Sequence, residues 1–252
     1  VPASAQSDGS RPGADARFHF GPLSLTPRVA VRDVGVDTNT FNAPSNPRRD
    51  FTATLRPEVQ SWLQVGRLGL SATSAVGWTY FHKSPSQRSF DVSQRARADV
   101  ALVGITPHVE GAVERTRQRP NEEIDARIRQ RRTHVGAGVA VHPGPLVTLD
   151  VVHEERATDF DDAEPGGEIF SQALNRRERE SSVAGRVVLT PLTTFVVRGG
   201  YREDVFDLAL ERDSQSFDIR SGLEFKPLAL FAGTALLGFR SFSPRRDDLP
   251  GF

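Results

Sequence analysis

From Phe51 to Val65 the chain alternates. Phe51, Ala53, Leu55, Pro57, Val59, Ser61, Leu63 and Val65 share one parity, and Thr52, Thr54, Arg56, Glu58, Gln60, Trp62 and Gln64 share the other. A period of two marks an extended strand whose side chains point to opposite faces in turn. The run is far longer than the roughly five or six residues of an ordinary globular strand. Gly66-Arg67 interrupts it, and it restarts through Leu68, Leu70, Ala72, Ser74, Val76, Trp78 and Tyr80. A polar stretch from His82 to Arg88 then breaks it again. The pattern recurs along the chain and predicts eleven strands, near 20–38, 51–65, 68–80, 90–102, 105–115, 129–141, 146–155, 180–189, 194–203, 215–226 and 229–240. In the first of these the apolar parity slips from Val29 and Val31 to Val34 and Val36, which predicts a bulge near Arg32-Asp33.

The connections alternate in length. Short breaks fall at Gly66-Arg67, Val103-Gly104, His142-Pro143-Gly144-Pro145, Thr190-Pro191-Leu192 and Lys226-Pro227-Leu228. Long polar segments fall at 39–50, 82–89, 116–128, 156–179, 204–214 and 241–252. Long strands with short turns at one end and long loops at the other predict an all-β, antiparallel, up-and-down transmembrane β-barrel over residues 18–252. The short turns and the N-terminus are then periplasmic and the long loops extracellular. Such barrels close with an even number of strands, so at least twelve are expected, with the final strands missing from the C-terminal end. Residues 1–17, rich in Ser, Gly, Pro and Asp, are expected to be a mobile leader. Within it Ala3-Ser4-Ala5 fits the small-x-small pattern at which a secretory signal is cleaved, consistent with a cell outer-membrane location.

This architecture inverts the usual burial rule, with the apolar parity on lipid and the polar parity on the lumen. The expected lumen-lining set is Arg56, Glu58, Arg95, Arg97, Asp99, Glu110, Arg198, Asp218, Arg220 and Glu224, with His108, Glu114, Asp150, Glu154, Arg186, Arg202 and Arg240 on the same parity. Interleaved charges of this kind either brace the wall as salt bridges or select solutes in a pore. Arg95, Arg97, Arg198 and Arg220 sit near Asp99, Glu58, Asp218 and Glu224 in the pattern, so at most a weak anion preference is expected. Trp78, Tyr80, Phe81, Phe90, Tyr201, Phe225 and Phe239 lie near strand ends, where aromatic girdles sit. Trp62 falls on the polar parity.

Bulk composition changes this picture little. A hydrophobic content of 37% and a mean hydropathy of -0.39 are compatible with a barrel, because only alternate residues face lipid. No apolar run approaches the roughly 20 residues of a spanning helix. A balance of 32 basic and 32 acidic residues gives no reason to expect a nucleic-acid partner. Cysteine is absent, which excludes disulfides, thiolate metal sites and thiol nucleophiles. No G-x-S-x-G, H-E-x-x-H or phosphate-binding G-x-x-x-x-G-K occurs, and the six histidines show no metal-ligand spacing. No enzyme, cofactor or metal centre is therefore expected. Asp159, Asp161, Asp162, Glu164 and Glu168 form an acidic loop cluster that reads as solvated charge. Arg115, Arg117, Arg119, Arg127, Arg129, Arg131 and Arg132 flank the third long loop and suit lipopolysaccharide phosphates or water. The expected partners are outer-membrane lipid, lipopolysaccharide and the barrel-assembly machinery.

The stretch GPLSLTPRVAVRDVGVDTNTFN from Gly21 to Asn42, followed from Phe51 by FTATLRPEVQSWLQVGRLGLSATSAVGWTYF, resembles the opening of outer-membrane β-barrel porins of Gram-negative bacteria. Those begin with an apolar strand ending in an x-x-N-x-F loop, then a strand with a central Pro and a returning strand with aromatics. The resemblance implies porin-like passage of polar solutes through a charged lumen. Some members of that group accompany exopolysaccharide export machinery, so it also admits the outer-membrane component of a polysaccharide exporter. A plugged barrel with a structural or adhesive role is a third reading. No functional residue carries over, because the matching patterns are diffuse.

Overall fold

The structure, a computed structural model, describes residues 13, 15–40, 47–118, 127–161, 169–225 and 233–245. Twelve strands occupy most of them: β1 (Phe18–Phe20), β2 (Leu23–Asp37), β3 (Asp50–Val65), β4 (Leu68–Phe81), β5 (Ser89–Val100), β6 (Ile105–Gln118), β7 (Ile128–Gly144), β8 (Val147–Phe160), β9 (Arg176–Thr190), β10 (Thr193–Phe206), β11 (Ser214–Phe225) and β12 (Gly233–Pro244). Among the described residues helix is confined to α1 (Phe170–Leu174) and two single 3-10 turns at Pro85–Gln87 and Leu210–Arg212. Each strand pairs antiparallel with its sequence neighbours in one sheet of order β1 through β12, an up-and-down meander. Among the described residues the sheet is not closed, and β12 pairs only with β11.

The eleven long strands are the eleven that alternation predicts, and β1 is a short addition that pairs with the start of β2. The predicted bulge is present: the β2–β3 register shifts between Arg32 and Gly35. Asp33 there takes a φ of 53°, a left-handed conformation that Asp tolerates better than most residues. Its carbonyl is satisfied by the Thr52 hydroxyl at 2.9 Å. Short reversals occur at Gly66-Arg67 and Pro191-Leu192, and a tight connection at 101–104. Gly66 and Gly104 supply φ values of 58° and 72° that a side chain would oppose. The third reversal differs from expectation. β7 runs through His142-Pro143-Gly144 with a register shift between Val141 and Gly144, and the turn is Pro145-Leu146. The proposed turn at Lys226-Pro227-Leu228 lies outside the described residues.

At the opposite end a repeated device ties off the ladders. Asp50, Asn175 and Asp213 each stand at or just before the start of a strand. Their side-chain oxygens accept the backbone N–H of Lys83 (2.8 Å), Phe160 (2.7 Å) and Phe206 (2.8 Å). Backbone groups that outrun the ladder are satisfied in this way.

Burial is inverted relative to a soluble domain. On β3, Phe51, Leu55, Pro57 and Val59 are exposed while Thr52, Thr54, Arg56, Glu58 and Gln60 are half-buried. Among the described residues the buried side chains comprise six apolar ones and ten polar ones, including His108 and Glu178. An apolar exterior this extensive, from Val29 at 70% exposed to Phe90 at 71%, needs a hydrocarbon neighbour.

Candidate functional site

The polar face is built by register. Because side chains alternate, residues paired across neighbouring strands share a face. Rungs such as Ser71–Arg97–Glu110–Gly136–Glu154–Glu180–Arg202 therefore run across seven strands on one face. The same ladder places Arg56, Glu58, Arg95, Arg97, Asp99, Glu110, Arg198, Asp218, Arg220 and Glu224 together on that face.

From β5 to β11 this face carries a belt of ion pairs. Arg97 reaches Glu110 at 3.3 Å. His134 Nε2 lies between Glu110 and Glu154, at 3.8 and 3.6 Å. Arg156 bridges Glu154 and Glu180, the latter at 3.3 Å. Arg202 joins Glu178 (2.9 Å) and Asp204 (3.0 Å), and Arg176 shares Glu178 at 2.8 Å. Arg198 holds Glu224 at 2.8 Å, with Arg186 at 4.0 Å from the same carboxylate, and Arg220 pairs with Asp218 at 3.0 Å. Half-buried pairs of alternating sign fix one another's geometry and leave little net charge.

Glycines on β7 make room for the belt. A Cβ on Gly136 would lie 3.3–3.4 Å from the Cγ atoms of Glu110 and Glu154. One on Gly138 would stand 2.7 Å from both His108 Nε2 and the Val151 carbonyl oxygen. Side chains of β6 and β8 thus lie across the strand between them.

Three of the four arginines expected to set selectivity are therefore neutralised: Arg97, Arg198 and Arg220 each hold a carboxylate. Arg95 does not, and neither does Arg56, among the described residues. Glu58 accepts a hydrogen bond from Gln60 at 3.0 Å, and Asp99 packs against Gly69. The cluster of Glu110, His134 and Glu154, whose ligand-type atoms lie within 4.8 Å of one another, escapes sequence reasoning. Its members sit on three strands and show no motif spacing. Arg97 and Arg156 already engage both carboxylates, which opposes a cation there.

The basic set near the third long loop divides. Arg115 faces Arg131, and Arg117 faces Arg129, across β6 and β7 on the apolar parity. Arg117 and Arg127 also donate to carbonyls of Ser86 and Gln87 and so clasp the 82–88 connection. Arg132 sits on the polar parity, 3.9 Å from Glu114. Arg119, and the loop acids Asp162, Glu164 and Glu168, lie outside the described residues. Among aromatics, Trp78 stacks on Phe90 at 6.4 Å and lies 5.8 Å from Tyr80, on the apolar side near the long-loop end. Trp62 pairs with Ser24 and Ser71 on the polar face, as its parity requires.

Residues 13–251 match the family model described as putative beta-barrel porin 2. No curated protein matches the chain. Among solved structures, the crystal structure of the COG4313 outer membrane channel from Pseudomonas putida F1 is similar at 14% identity, with a TM-score of 0.45, over 92% of this chain and 97% of that one.

Proposed function

From the premise that this chain belongs to the putative beta-barrel porin 2 family, we propose that it is an integral outer-membrane barrel passing polar solutes through a charged lumen. The observation that carries this reading is the unbroken polar face, which collects all ten predicted charged residues, opposite an exposed apolar one. A closed barrel with that face inside has a water-filled wall of charge, and such walls bias which solutes pass. The short reversals face the periplasm, the long connections face outward, and a leader ending near Ala3-Ser4-Ala5 directs export. Insertion depends on the barrel-assembly machinery. Lipid covers the apolar face, and the opposed arginines Arg115/Arg131, on the rung of Val92 next to that of Phe90, suit lipopolysaccharide phosphates.

The test is single-channel recording of the full-length protein, isolated folded from outer membranes, in a planar bilayer. Discrete conductance steps are expected. The ion-pair belt from β5 to β11 favours a second reading, a braced and plugged structural barrel. A correctly folded, full-length protein that conducts nothing would reject the pore and leave that alternative.

A further inference from the structure

We propose that the β2–β5 wall is a guide for oxyanionic solutes, carrying one guanidinium on each of five successive rungs. This rests on the pore reading above. The ladder fixes the order. Arg32 shares a rung with Thr54, Thr79 and Ser89. Arg56 stands on the next, opposite Ala30. Arg28 follows, with Glu58, Ala75 and Ser93. Arg95 follows with Thr26, Gln60 and Thr73, and Arg97 with Ser24, Trp62 and Ser71. Successive rungs on one face are two residues apart, about 6.8 Å along a strand. The five cations therefore descend the wall in steps of about 6.8 Å along the strand direction, with Arg28 on β2 and Arg95 on β5 also three strands apart across the sheet.

Their pairing state separates this wall from the rest of the face. On β7 to β11, Arg132, Arg156, Arg176, Arg186, Arg198, Arg202 and Arg220 all have a carboxylate within 4.0 Å, whereas Arg240 on β12 donates to the Ser216 hydroxyl. Of the five on β2 to β5 only Arg97 does among the described residues, through Glu110. Glu58, on the Arg28 rung, and Asp99, one rung beyond Arg97, are not ion-paired to any of them among the described residues, and Asp91 accepts the backbone N–H of Arg117. Arg28, Arg32 and Arg56 line one cavity of about 920 Å³ together with Arg17 and a single carboxylate, Glu58, so three of the cations open onto common space that stays net positive. Hydroxyl and amide side chains fill the neighbouring positions, among them Thr54, Gln60 and Thr73.

Guanidinium groups bind carboxylate and phosphate through paired N–H donors, which chloride cannot use equally. A series of such sites, each exposed enough to release its ligand, meets the requirement that a permeant ion bind at several weak positions rather than one strong one. The favoured cargo is thus a small solute bearing a carboxylate or phosphate.

The experiment records full-length wild type beside Arg56→Gln/Arg95→Gln, with folding checked by heat-modifiable gel mobility. The single variants Arg56→Gln and Arg95→Gln stand in if the pair fails to fold. Under a potassium chloride gradient the reversal potential should move toward potassium in the variants. Inorganic phosphate and succinate, added separately, should each reduce chloride current in wild type and do so less in the variants. Reduction by only one of them assigns the guide to phosphate or to carboxylate. An open channel with an unchanged reversal potential and no reduction by either probe overturns the guide while leaving the pore intact. A folded protein without conductance overturns both.

Discussion

Gly138 is where a single atom decides the packing of the polar face. Its absent side chain leaves space for the His108 ring, which is only 5% exposed. Gly138→Ala would drive a methyl against both that ring and the Val151 carbonyl, and one of these neighbours is rigid backbone. Overpacking of this kind should cost about 1–3 kcal/mol, read as a lower urea midpoint in lipid vesicles. On the other face the penalties follow depth. Val59 is 40% exposed near the middle of β3, so Val59→Arg places a charge in hydrocarbon and should cost about 2–4 kcal/mol. Its neighbour Gln60 has the opposite parity, and Gln60→Arg should change stability by no more than about 0.5 kcal/mol. Equal costs at 59 and 60 would mean that the two faces are not distinguished by solvent.

At the scale of strands, the polar face has a paired part and an unpaired part, and they should respond differently to loss of a cation. Arg202→Met removes the partner of Asp204 and one of two partners of the buried Glu178, and should cost about 1–3 kcal/mol. Arg56→Gln breaks no ion pair among the described residues and should lie within about 0.5 kcal/mol of wild type. Unfolding followed by the fluorescence of Trp62 and Trp78 compares the two, and matching losses would deny any energetic difference between the walls. The strands themselves are legible in sequence because alternation is a local property, printed by two solvents on two faces. That is why the bulge at Asp33 and the parity of all ten charged residues can be read from residue types alone. The strand ends are less legible. β6 continues to Gln118, β8 to Phe160, and β9 begins at Arg176, beyond the expected limits. There both faces are polar, so the alternation that would mark a strand disappears while the ladder goes on. Pairing is not legible at all: Glu110, His134 and Glu154 meet only through inter-strand register, which no run of residues records.

For the molecule as a whole, topology has an unusually clean test, because the chain contains only two lysines. Lys83 is exposed in the connection between β4 and β5. Lys226 follows Phe225, the last residue of β11, at the short-reversal end of that strand. A membrane-impermeant amine reagent on intact cells should modify Lys83 and spare Lys226, as read by peptide mass spectrometry, and the converse would invert the orientation. The excess of buried polar over buried apolar side chains also has a calorimetric consequence. The apolar exterior is solvated by hydrocarbon when folded, and in a micelle much of it stays in contact with detergent after unfolding. Little new apolar surface is hydrated, so the heat-capacity increment should fall well below the about 12–15 cal/mol/K per residue of soluble proteins. The stability curve of the micelle-bound protein should then be nearly straight rather than domed. Cold would not weaken it as it weakens a protein held together by a dry interior.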